Sequence, residues 1–127
     1  MKEEKYIGEL HTEHRLWLSQ LLLAKDQLKL FQNRLQEKNA ANTSKEIKAE
    51  IEQFQNQFIS ENEVIDILVH DIKESEFELV KNVKDNNVAI EHRKVHENGV
   101  LAERMVIFNK IFSELNLKFV KYLSKTL

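Results

Sequence analysis

A chain of 127 residues that holds no proline, and glycine only at Gly8 and Gly99, has little with which to turn corners. Tight turns draw on the fixed φ of proline and the positive φ open to glycine, so their scarcity predicts few and long elements. The common residues are Glu, Lys, Leu, Gln, Ile and Ala, mostly good helix formers, and 31% of the chain is charged, as wide solvated helix faces require. We therefore expect an all-α fold: one domain over residues 1–127, an antiparallel bundle of three long helices at about 3–38, 43–84 and 87–125.

Apolar spacing sets those boundaries. Ile7, Leu10, His14, Trp17, Leu21, Ala24, Leu28, Phe31 and Leu35 alternate spacings of three and four, the seam of a long bundle helix, and Leu18, Leu22 and Leu23 widen it. The pattern lapses at Lys38-Asn39-Ala40-Ala41-Asn42, and Thr43 with Glu46, or Ser44 in competition, then reads as a helix cap. The second seam is Ile47, Ile51, Phe54, Phe58, Glu61, Ile65, Leu68, Ile72 and Leu79, with a carboxylate among hydrophobics at 61. Ser60 with Glu63 also matches a cap, so a break near 60, or one at Asn98-Gly99, would give four helices instead. Lys84-Asp85-Asn86-Asn87 is rich in residues that bond local backbone, which places the second reversal there. The third seam starts Val88, His92, Val95, Gly99, Ala102 and resumes one residue out of phase as Met105, Phe108, Phe112, Leu115, Phe119, Tyr122.

Several function classes fall away. The chain has no cysteine, hence no thiolate nucleophile and no disulfide, which fits a reducing compartment, and the cytoplasm is the expected location. Met1 to Ile7 lacks the apolar core of a signal peptide, no apolar run suits a membrane span, and a net charge of −2 argues against a nucleic-acid partner. No phosphate loop, nucleophile elbow or EF-hand loop is present, so no catalytic residue is assigned and the chain is not expected to be an enzyme.

The five histidines stand out. Reversals near 40 and 85 would bring residues 14, 67 and 101 level and set His11, His14, His70, His92 and His96 near one end. His92 and His96 share a helix face, as do His70 and Glu74, and such pairs suit a metal ion. The order His70-x-x-x-Glu74 then His92-x-x-x-His96 resembles part of the hemerythrin pattern, which implies a helical bundle binding iron, although residues 101–127 contain neither the His nor the Asp that family adds from its last helix. The phase of the second seam turns His70 away from the core. The candidate metal set is therefore His14, His92, His96, Glu13 and Glu61, for Fe, Mn or Zn, with a core histidine bonded to Glu61 or a carbonyl as the competing reading of His14.

A second apolar face on the middle helix, with Ile59, Ile67 and Phe77 beside His70, exceeds what a three-helix core needs. The expected function is thus that of a non-enzymatic helical interaction protein without a cofactor. It would bind another protein or a second copy as a homodimer through that face; the alternative is a metal-binding bundle of hemerythrin-like or ferritin-like type.

Overall fold

The computed structural model describes residues 7–42, 44–86 and 92–125, with the side chains of 82–86, 92 and 93 outside that description. Among the described residues there are three α-helices and no strand: α1 Ile7–Ala41, α2 Lys45–Asn86 and α3 His92–Lys125. No break occurs at 60 or at 99, and neither helix needs one. Around Ser60, apolar positions continue at seam spacing on both sides, and at Gly99 a cost of about 1 kcal/mol for one exposed helical glycine is outweighed by the helix on either side.

Local chemistry sets the first reversal. At the end of α1 the Asn42 side chain donates to the Lys38 carbonyl at 2.9 Å, satisfying an acceptor that the terminating helix leaves without an intrahelical donor. The Ser44 carbonyl accepts from the Lys48 amide at 3.0 Å, the first intrahelical bond, so Ser44 takes the N-cap position; Thr43 lies outside the described residues. At the other end α2 stays helical through Asn86, into the Asx-rich stretch 84–87 read as the turn, and residues 87–91 lie outside the described residues.

Descending pairs show that α3 runs antiparallel to α2: Lys94 with Glu78, Arg104 with Asp71, and Lys118 over the Phe54 ring. The α1–α2 pairing is the most extensive of the three, and α1 and α3, which run parallel, meet least. Most seam residues of α1 and α2 are buried as their spacing predicts, including the polar His14 and Glu61, while Ile7, Trp17, Phe31 and Ile47 are partly buried. Leu22 and Leu23, read as widening the α1 seam, are exposed. The buried line of α3 is Lys94, Asn98, Leu101, Met105, Phe108, Phe112, Leu115, Phe119 and Tyr122, an unbroken alternation of four and three. The phase slip read near Gly99 is absent, because polar residues hold the first two seam positions and the half-buried Val95 and Ala102 beside them mimicked a shifted seam.

The hydrophobic core is densest toward the α1–α2 connection. Phe31, Phe54, Phe58 and Phe119 bring one aromatic from each helix, and two from α2, into contact, with Phe58 and Phe119 edge to face at 5.0 Å between centroids and Phe31 4.9 Å from Phe119. Such pairs contribute about 0.5–1.5 kcal/mol each beyond their buried area. Tyr122 closes this end beneath the Lys38 ammonium, 4.6 Å from its ring centroid, and burial pushes its phenol above the ordinary tyrosine value, assisted by the charge of Glu50. No helix among the described residues is long and apolar enough to cross a membrane.

Candidate functional site

The opposite end is built from polar side chains at core positions. His14 is 1% exposed on α1, and its Nδ1–H donates to Glu76 Oε1 of α2 at 2.9 Å; His11, one turn earlier and half-exposed, bonds through Nδ1 to the other oxygen of the same carboxylate. One carboxylate therefore orients two imidazoles, because spacing three on a helix sets them on one side and Glu76 is nearly in line with the α2 seam. The other ring nitrogen of His14, Nε2, is buried and without a hydrogen-bond partner among the described residues, and the centroids of the His14 and Trp17 rings lie 5.9 Å apart.

From α3, Asn98 is 2% exposed and donates through Nδ2 to Glu13 Oε2 at 3.2 Å, while its own Oδ1 is buried without a partner. One turn earlier Lys94 is also buried. Its ammonium reaches Glu78 of α2 and Glu97 of its own helix, the latter at 3.1 Å. Burial alone would lower the Lys94 pKa, but hydrogen bonds to the two carboxylates prevail and hold it above the ordinary lysine value.

The predicted metal set is only partly brought together. His14 and Glu13 belong to this layer. His96 is exposed, in an open groove of about 320 Å³ between α2 and α3 with Asp71, Glu74, Glu78, Glu97 and Arg104; His92 lies outside the described side chains. Glu61 is buried far away: fifteen residues separate it from Glu76, about 22 Å along α2. There it borders a second groove with Gln57, Ser60, Ile111 and Lys118, and loss of hydration raises its pKa. The expected register, with residue 14 level with 67, is displaced by most of three turns. The reversal sits near 43 rather than 40, and side chains tilt toward their own N-termini, so those of antiparallel α1 and α2 meet when the α2 residue is farther from the connection.

Glu76, Lys94 and Asn98 are the residues that sequence reasoning missed. Running the spacing of α3 backward from Leu101 reaches Asn98 and Lys94 directly, a signal that a search for hydrophobic residues passes over. Glu76 carried none, since carboxylates are abundant on this helix.

Among the described residues, His70, Asp71 and Glu74 are the group whose ligand atoms lie close enough for one ion, all within 4.8 Å of one another. Their cation is already supplied: Arg104 sits 2.9 Å from Asp71. The hydrogen bond with His70 is the main cause that holds the Asp71 carboxyl below its ordinary value; burial opposes it, and the Arg104 guanidinium adds to the lowering. This cluster is a surface ion-pair network across α2 and α3.

The second face of α2 is open. Ile59 and Ile67 are more than half exposed, and Phe77 is 71% exposed, the largest value among the exposed large hydrophobics. His70 stands out among them with its side chain in solvent. The apolar surface also extends beyond α2. On α1, Leu16, Leu23 and Leu30 repeat every seven residues and are each more than half exposed, a second apolar line that the reading of the sequence did not separate from the core seam.

Comparison with protein-family models, curated proteins and solved structures finds no match to this chain.

Proposed function

We propose that the chain is a non-enzymatic helical interaction protein that pairs with a second copy or another protein through apolar side chains its own core does not use. The observation that carries this is the second face of α2, where Phe77, Ile59 and Ile67 stand in solvent on a helix whose other face is fully engaged in the core. Helical scaffolds bury apolar side chains at seam spacing; a further set on the opposite side gains nothing within the monomer and gains on docking. With no cysteine to oxidise, the chain suits a reducing compartment such as the cytoplasm. Light scattering coupled to gel filtration tests the self-associating form: mass should rise above 15.1 kDa with concentration in the micromolar range, and a strict monomer throughout overturns it.

The metal-binding alternative draws on one feature, the fixed orientation of His14 by Glu76, which is how a carboxylate holds an imidazole ligand. It ranks second because His96 and Glu61 lie apart from His14. Elemental analysis of untagged protein for Fe, Mn and Zn decides it; a stoichiometric metal would reverse the ranking.

A further inference from the structure

A carboxylate interrupts the apolar seam of α2. Phe54, Phe58, Ile65 and Leu68 flank Glu61 at seam spacing and are buried, and Glu61 among them is 9% exposed. No hydrogen bond or ion pair reaches its oxygens among the described residues. Loss of hydration is the one influence on its pKa, which it raises. An ionised carboxylate held like this destabilises the monomer, and a hydrophobic residue at the same position would extend the core. Lys94 at the histidine end is buried too, but two carboxylates receive it. Glu61 lacks what Lys94 has, a group of opposite charge.

The groove that Glu61 lines, about 290 Å³ between α2 and α3, shows what kind of group would fit. Gln57, one turn earlier on α2, and Ser60, beside it, share the groove, and Glu114 enters it from α3, likewise without a partner among the described residues. Two carboxylates and two neutral oxygens, the Gln57 amide and the Ser60 hydroxyl, can therefore accept hydrogen bonds there. Ile111 and Leu115 add aliphatic wall. The groove's own cation, Lys118, has its ammonium 5.7 Å from the centroid of the Phe54 ring and forms no ion pair with Glu61. A metal ion is poorly served: among the described residues His70, Asp71 and Glu74 form the group of three close enough to hold one, so Glu61 and Glu114 have no third carboxylate or imidazole at hand. An ammonium has three N–H donors for these acceptors, and an alkyl stem gains from the aliphatic wall. We infer that this groove binds a primary alkylammonium, with Glu61 and Glu114 taking its charge, Gln57 or Ser60 a remaining N–H, and Ile111 and Leu115 the alkyl chain. Binding there neither requires nor excludes self-association.

The test is a titration of the wild-type protein with n-butylammonium chloride at constant ionic strength, followed by nuclear magnetic resonance. The Glu61 carboxyl carbon and the methyl groups of Ile111 and Leu115 should shift and saturate together. Glu61→Gln should weaken binding by roughly tenfold or more, while Glu74→Gln, in the other α2–α3 groove, leaves it unchanged. The midpoint of thermal unfolding of Glu61→Gln should equal or exceed that of wild type, because the substitution removes a buried charge. The n-butyltrimethylammonium ion carries the same charge without N–H donors and should bind roughly tenfold or more weakly than n-butylammonium. A response that never saturates, or equal affinity for the two ions, overturns the inference. So does tighter binding of calcium or magnesium at the same residues, which would make the groove a metal site. Binding that appears only in Lys118→Met also overturns it, by showing that Lys118 is the ammonium Glu61 receives.

Discussion

At one end of this bundle Phe54, Phe58 and Phe119 fill the seam positions of α2 and α3, and at the other His14, Lys94 and Asn98 fill the equivalent positions of α1 and α3. Spacing is the same at both ends; the content differs. An aromatic gains from any apolar neighbour, so the first end is held by area and shape and is tolerant of which ring meets which. A buried imidazole, ammonium or carboxamide is tolerable only against its own partner, so the second end contributes little net stability yet penalises every alignment except the one that joins His14 to Glu76 and Lys94 to Glu78. The comparison separates two tasks that a uniform core would merge, holding the helices together and choosing their register.

The largest expected effect breaks the aromatic end. Phe58→Ala removes a ring with no exposed surface that touches Phe31, Phe54 and Phe119, and should cost about 3–5 kcal/mol in urea unfolding. A loss below about 1 kcal/mol would mean the rings repack freely and that end is not the anchor.

At the polar end, Glu76→Ala takes the acceptor from two imidazoles, one of them fully buried, and should cost about 1–3 kcal/mol, while His14→Leu at the same contact should be near neutral. Equal losses for the two variants would show that the pair itself stabilises, against the division drawn here.

The smallest effect sharpens the comparison. Lys94→Met should change stability by less than about 1 kcal/mol at neutral pH, since Glu78 and Glu97 are each partly exposed and can rehydrate. Its signature is in alkali. A lysine whose folded pKa is raised contributes stability fully present below its unfolded value near 10.5 and lost as pH climbs through the folded value, so wild type should weaken in that window more than Lys94→Met does. Parallel stability profiles above pH 10 would remove Lys94 from the account.

The fold was legible where chemistry and spacing agree. Proline-free composition and the α1 and α2 seams led to three helices, and even His14 and Glu61 were placed in the core, because apolar residues surround them at regular spacing. Legibility failed at the start of α3, where Lys94 and Asn98 look like surface residues and only their partners on other helices make them core. Register failed for a related reason: it depends on where the chain reverses and on how side chains lean, neither of which periodicity encodes. The grouping of histidines at one end was visible in outline; the carboxylate that binds two of them was not.

Because α2 runs through both ends, it carries the division within a single helix. Amides near Phe54 and Phe58, whose side chains are locked among the rings, should be released to hydrogen exchange only when the whole bundle unfolds. Near Glu76 the buried Ile72 and Leu79 are flanked by polar contacts that water can replace, so openings smaller than global unfolding should reach those amides first. Hydrogen exchange should therefore show protection along this one helix falling from its N-terminal to its C-terminal half, and equal protection in both halves would mean that the polar layer opens no sooner than the rings.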